Sequence, residues 1–375
     1  MTGSRRVRDY GIKPGRLRPG QYNSITDVVG VEVGHSTIIK GEGKLTPGQG
    51  PVRTGVTAIK PHGGNLFKEK VTAACHIING FGKSVGLPQI RELGVLETPI
   101  LLTNTLNVGR VADSLIDYML EDNPEIGVTT GTINPVVGEC NDSYLNDSQG
   151  RHVGRDEVMA ALHGTEAGPV KEGVVGAGTG MSCFGFKGGI GTSSRIVEIE
   201  EEEYTIGILV LSNFGRKENL LVNGVPVGLE LKREEKSKKE NKELDDGSII
   251  IVLATDLPLS SRQLGRLAKR VPLGLGRVGS VISHGSGDFV IAFSTEYKHQ
   301  HGKEDGWCRD RKLINESHSS LNQAFLAVAE ATEEAILNSL FKAETVIGRD
   351  NHTRKGLPND KVVSILKNYQ HIDLD

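Results

Sequence analysis

Cysteine, tryptophan and methionine are scarce in this 375-residue chain, at four, one and four residues, and aromatics supply only 5% of it. The cysteines, Cys75, Cys140, Cys183 and Cys308, stand far apart with no CxxC pair, which argues against a zinc cage or a disulfide framework. No stretch reaches the roughly 18 apolar residues of a bilayer-spanning helix. The opening sequence, MTGSRRVRDYGIKPGRLRPG, lacks the apolar core of a secretory signal. Neither sign of charge dominates: 44 Lys and Arg against 47 Asp and Glu leave a formal −3. That excludes a broad basic surface for nucleic acid and the acidic excess of a disordered tail. The expectation is a cytoplasmic protein that acts on small molecules or peptides, away from membranes and nucleic acid.

Glycine is abundant, at 48 residues, and points to tight turns and close backbone approaches. Apolar, β-branched runs at Val28 to Val33, Val56 to Ile59, Ile126 to Thr130 and Tyr204 to Leu211 read as strands. Several lack clean alternation, as expected when both sheet faces are covered. Val108 to Leu120 has helical spacing, and Asp156 to Leu162 fits a short helix. The clearest composition shift is KREEKSKKENKELDD, Lys232 to Asp246, with no aromatic or β-branched residue, which reads as a solvated, mobile segment. Gly247 and Ser248 follow, and then Ile249 to Leu253, an apolar run with the length of a buried strand. Beyond it, Leu264, Leu267, Ala268 and Val271 mark a helix face, Phe289 to Phe293 a strand, and Leu321 to Leu340 a long amphipathic helix. Strands interleaved with helices point to a mixed α and β protein.

Three familiar motifs fail on their context. Gly274, Gly276 and Gly279 satisfy GxGxxG, but they follow Lys269, Arg270 and Pro272 and lead into strand-like Val281 and Ile282. A dinucleotide fingerprint follows a strand and opens a helix. The glycine-rich stretch Gly173 to Gly191 lacks the Lys and Ser/Thr of a phosphate loop. Ser286 is flanked by His284 and Asp288 where a nucleophile elbow has glycines. The polar excursion from Tyr297 to His318 holds His299, His301 and Cys308, but their spacing matches no metal cage.

A Gly-Ser pair between a charged segment and a buried strand has the layout of an N-terminal nucleophile. The serine hydroxyl attacks the Gly247 carbonyl, the ester hydrolyses, and Ser248 becomes a chain terminus. Its α-amine, with a reference pKa of about 7.7 to 8.0, can then serve as base toward its own hydroxyl. Taken alone, the dipeptide reads far more readily as an ordinary turn before a strand.

Longer blocks decide between these readings. GQYNSITDVVGVEVGH (Gly20 to His35), NPVVGECNDSYLND (Asn134 to Asp147), GAGTGMSCFGFKGGIGTSSR (Gly176 to Arg195), DDGSIIIVLATDLPL, SHGSGDFVIAFST and GRDNHTRKGLP (Gly348 to Pro358) occur in order along nearly the whole chain. In these blocks the sequence resembles the DmpA-type L-aminopeptidase/D-Ala-esterase/amidase family, which includes β-peptidyl aminopeptidases. The resemblance implies an α+β protein, a four-layer α/β/β/α sandwich. It implies one catalytic domain over 1–375, processed into 1–247 and 248–375, and a homotetramer of processed pairs. It implies a serine aminopeptidase or amidase that releases N-terminal residues from small peptides, amino-acid amides or esters without a cofactor or metal. Residue by residue, Ser248 matches the nucleophile released by cleavage after Gly247. Ser286 and Asp288 match a hydroxyl and a carboxylate that assist proton transfer, although some relatives have Glu at the second position. Asn213 matches an oxyanion donor, and Tyr144 a tyrosine lining the same pocket. A carboxylate is the natural partner of the substrate ammonium, and the candidates are Glu139 first and Asp142 second. Two alternatives are an acyltransferase of the ornithine acetyltransferase type and an unprocessed, non-catalytic homologue. The latter is left room by a charged segment that is long for the family.

Overall fold

The computed structural model describes residues 5–234, 247–302, 307–308 and 310–370. In chain order its strands are β1 (Glu32–Lys40), β2 (Val52–Lys60), β3 (Glu69–Gly80), β4 (Val95–Leu96), β5 (Ile100–Asn104), β6 (Val136–Cys140), β7 (Ser182–Cys183), β8 (Phe186–Lys187), β9 (Gly189–Ile199), β10 (Glu202–Asn213), β11 (Ser248–Thr255), β12 (Gly287–Gln300), β13 (Val346–Ile347) and β14 (Thr353–Arg354). The α-helices are α1 (Leu87–Leu93), α2 (Val108–Asp122), α3 (Arg155–His163), α4 (Val227–Glu234), α5 (Ser261–Ala268), α6 (Val271–Arg277), α7 (Ser320–Phe341) and α8 (Asn359–Gln370).

Strand periodicity shows how these elements stack. Along β11, Ile249, Ile251 and Leu253 point into one core, while Ile250, Val252 and Ala254 point into another. β10 and β12 divide in the same way, so the six-stranded sheet, ordered β4-β3-β12-β11-β10-β9, is apolar on both faces. Its first core is closed by α5, α6, α7 and α8. Its second is shared with the four-stranded sheet β1-β2-β5-β6, which contributes Ile59, Ile100, Leu102 and Val136. The outer face of that smaller sheet carries Val56, Ala58, Leu101 and Val137 against Val111 and Leu115 of α2 and Val158 and Leu162 of α3. Helices, sheet, sheet, helices: this is the expected four-layer α+β sandwich. Two-sided burial also explains why the strand runs failed to alternate.

Some local expectations change. The run at Val28 to Val33 is mostly turn, with β1 beginning only at Glu32. Ile126 to Thr130 is not a strand. Gly127 takes φ +72°, the Glu125 carbonyl accepts from the amides of Val128, Thr129 and Thr130, and Val128 is 79% exposed. The segment that begins at Leu264 is two helices, because the backbone turns at Lys269 and Arg270 before Pro272 restarts it near the head of α6. Gly274 and Gly276 lie within α6, and Val281 and Ile282 form loop, not strand. Ile282, β-branched, is held at φ +53° just before Ser286. Of the charged segment, Lys232–Glu234 end α4, and 235–246 lie outside the described residues.

The long helix α7 is buried on nearly every face and is not amphipathic, and it carries Glu330, Glu333 and Glu334 into the interior. Buried carboxylates need partners, and Arg195 supplies one, donating to Glu334 at 2.7 Å and Glu330 at 3.3 Å, while Arg8 donates twice to Glu334 at 2.7 Å. Burial alone would raise the Glu334 carboxyl, but the Arg8 hydrogen bonds and the Arg195 charge outweigh it and hold it below the ordinary range. These pairs join residues on opposite sides of the Gly247–Ser248 junction. So does the sheet, in which β11 lies between β10 and β12 and pairs with both along its whole length.

Candidate active site

Ser248 is the first residue of β11, and the register of the sheet assembles the site around it. Asn213, the last residue of β10, is its antiparallel partner, and Gly287, at the start of β12, is its parallel partner. Ser286 and Asp288 flank Gly287, so neighbouring strand ends bring together residues far apart in sequence. All four polar residues are buried, Ser248 at 6% exposure.

The Ser248 hydroxyl donates to the Gly247 carbonyl at 2.7 Å. The Gly287 amide donates to the same carbonyl at 3.3 Å and lies 3.4 Å from Ser248 Oγ. The Gly247 carbonyl oxygen thus accepts from both a hydroxyl and a backbone amide. The requirement for glycine at 247 is one of space. A Cβ there would stand 2.9 Å from Phe214 Cα, and the backbone is not in the left-handed region.

Ser286 Oγ donates to Asp288 Oδ1 at 2.5 Å. Burial pushes the Asp288 carboxyl up to about 6, against the opposing hydrogen bonds from Ser286 and the Ile249 amide. Asn79, a residue with no signal in the sequence, reaches across from β3 and donates to the carbonyls of Ser283, His284 and Ser286. It thereby fixes the turn that presents Ser286.

Asn213 is oriented from both ends. Its Oδ1 accepts from the Ser182 amide at 2.8 Å, and its Nδ2 donates to the Asn141 carbonyl at 3.0 Å. A primary amide has two N–H groups, so one remains for a reacting oxygen. Tyr144, 38% exposed, stacks on His352 with centroids 4.7 Å apart, and the Arg354 guanidinium lies 3.8 Å from its ring centre.

Glu139, on β6, accepts from the Lys83 amide at 2.8 Å and from the Thr105 hydroxyl. Gly82 links it to the serine: a Cβ on Gly82 would stand 3.4 Å from Glu139 Oε1, and one on Gly287 would stand 2.9 Å from Gly82 Cα. Asp142 is placed differently. Its carboxylate accepts from Thr54 at 2.6 Å, Ser148 at 2.9 Å and Asn146 at 3.1 Å, an internal network of three side-chain donors.

The model of peptidase family S58 matches residues 23–354. The chain belongs to peptidase family S58. It is 43% identical over 371 residues to β-peptidyl aminopeptidase BapA of Sphingosinicella xenopeptidilytica, covering 96% of this chain and 91% of that one. Among solved structures, a protein of Pyrococcus horikoshii OT3 is 53% identical with a TM-score of 0.91, covering 98% of this chain and all of that one. The L-aminopeptidase D-Ala-esterase/amidase of Ochrobactrum anthropi is 37% identical with a TM-score of 0.89, covering 98% and 99%. It is described as a prototype for the serine aminopeptidases and a variant of the Ntn-hydrolase fold. As an S58 peptidase this protein is a hydrolase, a serine aminopeptidase or amidase, and the acyltransferase alternative is not favoured.

The candidate site also contains groups that sequence reasoning missed. The Gly287 and Ser182 amides act through backbone, which no side-chain pattern reports. Lys187 did leave a signal, as a lone charge in GFKGG. It is fully buried, and its ammonium donates to the carbonyls of Gly178 and Gly188 at 2.8 Å, with burial pushing its pKa down to about 7. It anchors the β7–β8 hairpin, and that hairpin holds Asn213. No described helix is long and apolar enough to cross a membrane, and the described residues contain no cluster able to hold a metal ion.

Proposed function

We propose that the chain is a self-processing aminopeptidase in which Ser248 is the nucleophile of both cleavage and catalysis. The observation that supports this most directly is the Ser248 hydroxyl 2.7 Å from the Gly247 carbonyl oxygen, which also accepts from the Gly287 amide. Attack of Oγ on the Gly247 carbonyl carbon forms an ester and breaks the C–N bond, whose nitrogen takes up the proton. Water then cleaves the ester, giving a Gly247 carboxylate and a free Ser248 with its α-amine. The products are 1–247 and 248–375, which function as one catalytic domain.

In turnover, the α-amine accepts the Oγ proton and Oγ attacks the substrate carbonyl. Asn213 Nδ2 and the Gly287 amide donate to the oxyanion, with Tyr144 at the pocket edge. The leaving amine takes up the proton, and water resolves the acyl-enzyme. Ser286 and Asp288 assist proton transfer beside the nucleophile.

Both the amine and Asp288 must be unprotonated in this scheme. Log kcat therefore rises with slope one as pH approaches the amine's reference range of about 7.7 to 8.0, and with slope two below about 6, where Asp288 also gains a proton. Asp288→Asn should reduce the slope below pH 6 to one in a kcat–pH profile. An unchanged slope of two would contradict the role of Asp288.

The substrates are small peptides, amino-acid amides or esters with a free N-terminal amine held by Glu139. A curated relative named as a β-peptidyl aminopeptidase supports extending this class to β-residues. Glu139→Gln preserves an acceptor for the Lys83 amide but removes the charge. It should raise KM about tenfold to hundredfold, the size of a hydrogen bond to a charged group. A panel of free and N-acetylated aminoacyl p-nitroanilides tests the whole reading: the free amines should be hydrolysed and the acetylated ones spared. Efficient acetyl transfer to ornithine with no hydrolysis would overturn it. The four cysteines are unpaired, in keeping with the cytoplasm, and the processed pairs form a homotetramer that light scattering can measure.

A further inference from the structure

The block GRDNHTR is absorbed by none of the roles above, yet its last residues close a chain of contacts that runs through Asn213 and Tyr144. Arg354 Nε donates to Ser182 Oγ at 3.0 Å, and the Ser182 amide donates to Asn213 Oδ1 at 2.8 Å. Asn213 Nδ2 donates to the Asn141 carbonyl at 3.0 Å. Three residues on from Asn141 is Tyr144, whose ring centre lies 3.8 Å from the Arg354 guanidinium carbon. His352 also stacks on that ring, centroids 4.7 Å apart, and His352 Nδ1 lies 2.9 Å from the Tyr144 carbonyl oxygen.

The hairpin that carries these two residues is clamped onto the same segment. The Arg349 amide donates to the Leu145 carbonyl at 2.9 Å, and Gly348 lies so close that a Cβ there would stand 2.1 Å from Leu145 O. The turn places Asp350 and Asn351 in the left-handed region, at φ +54° and +59°. His352 and Arg354 follow the Gly247–Ser248 junction in sequence, whereas Tyr144, Ser182 and Asn213 precede it.

We propose that Arg354 is a positioning residue that sets Tyr144 and Asn213 in register with each other across the substrate carbonyl, with His352 stacked on the same tyrosine ring. The planar guanidinium suits this double duty. Its face covers an aromatic ring while its Nε–H points in plane at a hydroxyl. An ammonium cannot do both. This inference rests on the reading that Tyr144 and Asn213 face the reacting carbonyl.

The test measures kcat and KM on an aminoacyl p-nitroanilide for fully processed Arg354→Met, Arg354→Lys, Tyr144→Phe and the Arg354→Met/Tyr144→Phe double variant, with melting temperatures alongside. Arg354→Met should lower kcat about tenfold to hundredfold, the cost of displacing a reacting group by about an ångström, and leave KM within about threefold. Arg354→Lys should recover part of that loss, through the ring alone. The double variant should lose less than the product of the single losses, because both act through one assembly. Full kcat in Arg354→Met, or losses that multiply, would overturn the proposal. If Arg354→Met does not fold, full kcat in Arg354→Lys overturns it, since lysine cannot serve Ser182 and the ring together. Full kcat in Tyr144→Phe would instead overturn the underlying role of Tyr144, an outcome distinct from failure at Arg354.

Discussion

Replacing Ser248 by alanine is expected to leave a single uncleaved chain of 40.4 kDa whose aminopeptidase kcat is about a millionfold lower, the scale of removing a catalytic nucleophile. In the proposed mechanism the same hydroxyl opens the Gly247 peptide bond and attacks the substrate, so both activities vanish together. The variant should fold. Ser248 Oγ makes one short hydrogen bond, to Gly247 O at 2.7 Å, and a bond of that kind contributes about 1 kcal/mol. The surrounding strand is held by Ile249 to Ala254, all buried in the two cores. Ser248→Cys retains a nucleophile and should still process. Cleavage of the Ser248→Ala chain at Gly247 would mean that another group performs the attack.

Asn213→Ala should have the second-largest effect, a loss of about a hundredfold to a thousandfold in kcat, as for other single oxyanion donors. Alanine also leaves the Ser182 amide without its acceptor, so part of the loss could come from a displaced hairpin. Asn213→Asp separates the two contributions. It preserves an oxygen for Ser182 but replaces the Nδ2 donor with a negative charge facing the oxyanion. If donation is what matters, Asp is at least as damaging as Ala although it keeps an acceptor for the Ser182 amide. An Asp variant with near-native kcat would show that the asparagine serves only to hold the hairpin.

The polarity pattern made the strands on both sides of Ser248 legible, because a run such as Ile249 to Leu253 has few destinations other than a covered sheet. Helices α2 and α3 were legible from spacing, and the extent of α7 from its apolar positions. Its burial was not: Glu330 and Glu334 find their partners in Arg8 and Arg195, distant in sequence, and Glu333 finds its own in Arg277. At Ile126 to Thr130 the apolar residues suggested a strand, and one glycine at positive φ with a shared Glu125 carbonyl made a turn instead.

Within the candidate site, Ser248, the Ser286 and Asp288 pair, and Asn213 were named by resemblance to a family, and the register of β10, β11 and β12 brings their strand ends together. What remained hidden acts through backbone or through contacts between distant segments. Examples are the Gly287 and Ser182 amides, Asn79 bracing the Ser286 turn, and Lys187 in its cage of carbonyls. The network of Thr54, Asn146 and Ser148 around Asp142 is likewise made by residues the sequence does not single out.

The most direct test of the central claim is the intact mass and N-terminal sequence of the purified protein under denaturing conditions, taken alongside its activity. The account predicts two fragments whose masses sum to the full chain plus one water, the second beginning Ser-Ile-Ile-Ile at Ser248, with hydrolysis of free-amine p-nitroanilides rising as the fragments appear. A persistently uncleaved chain that hydrolyses those substrates at full rate would contradict it.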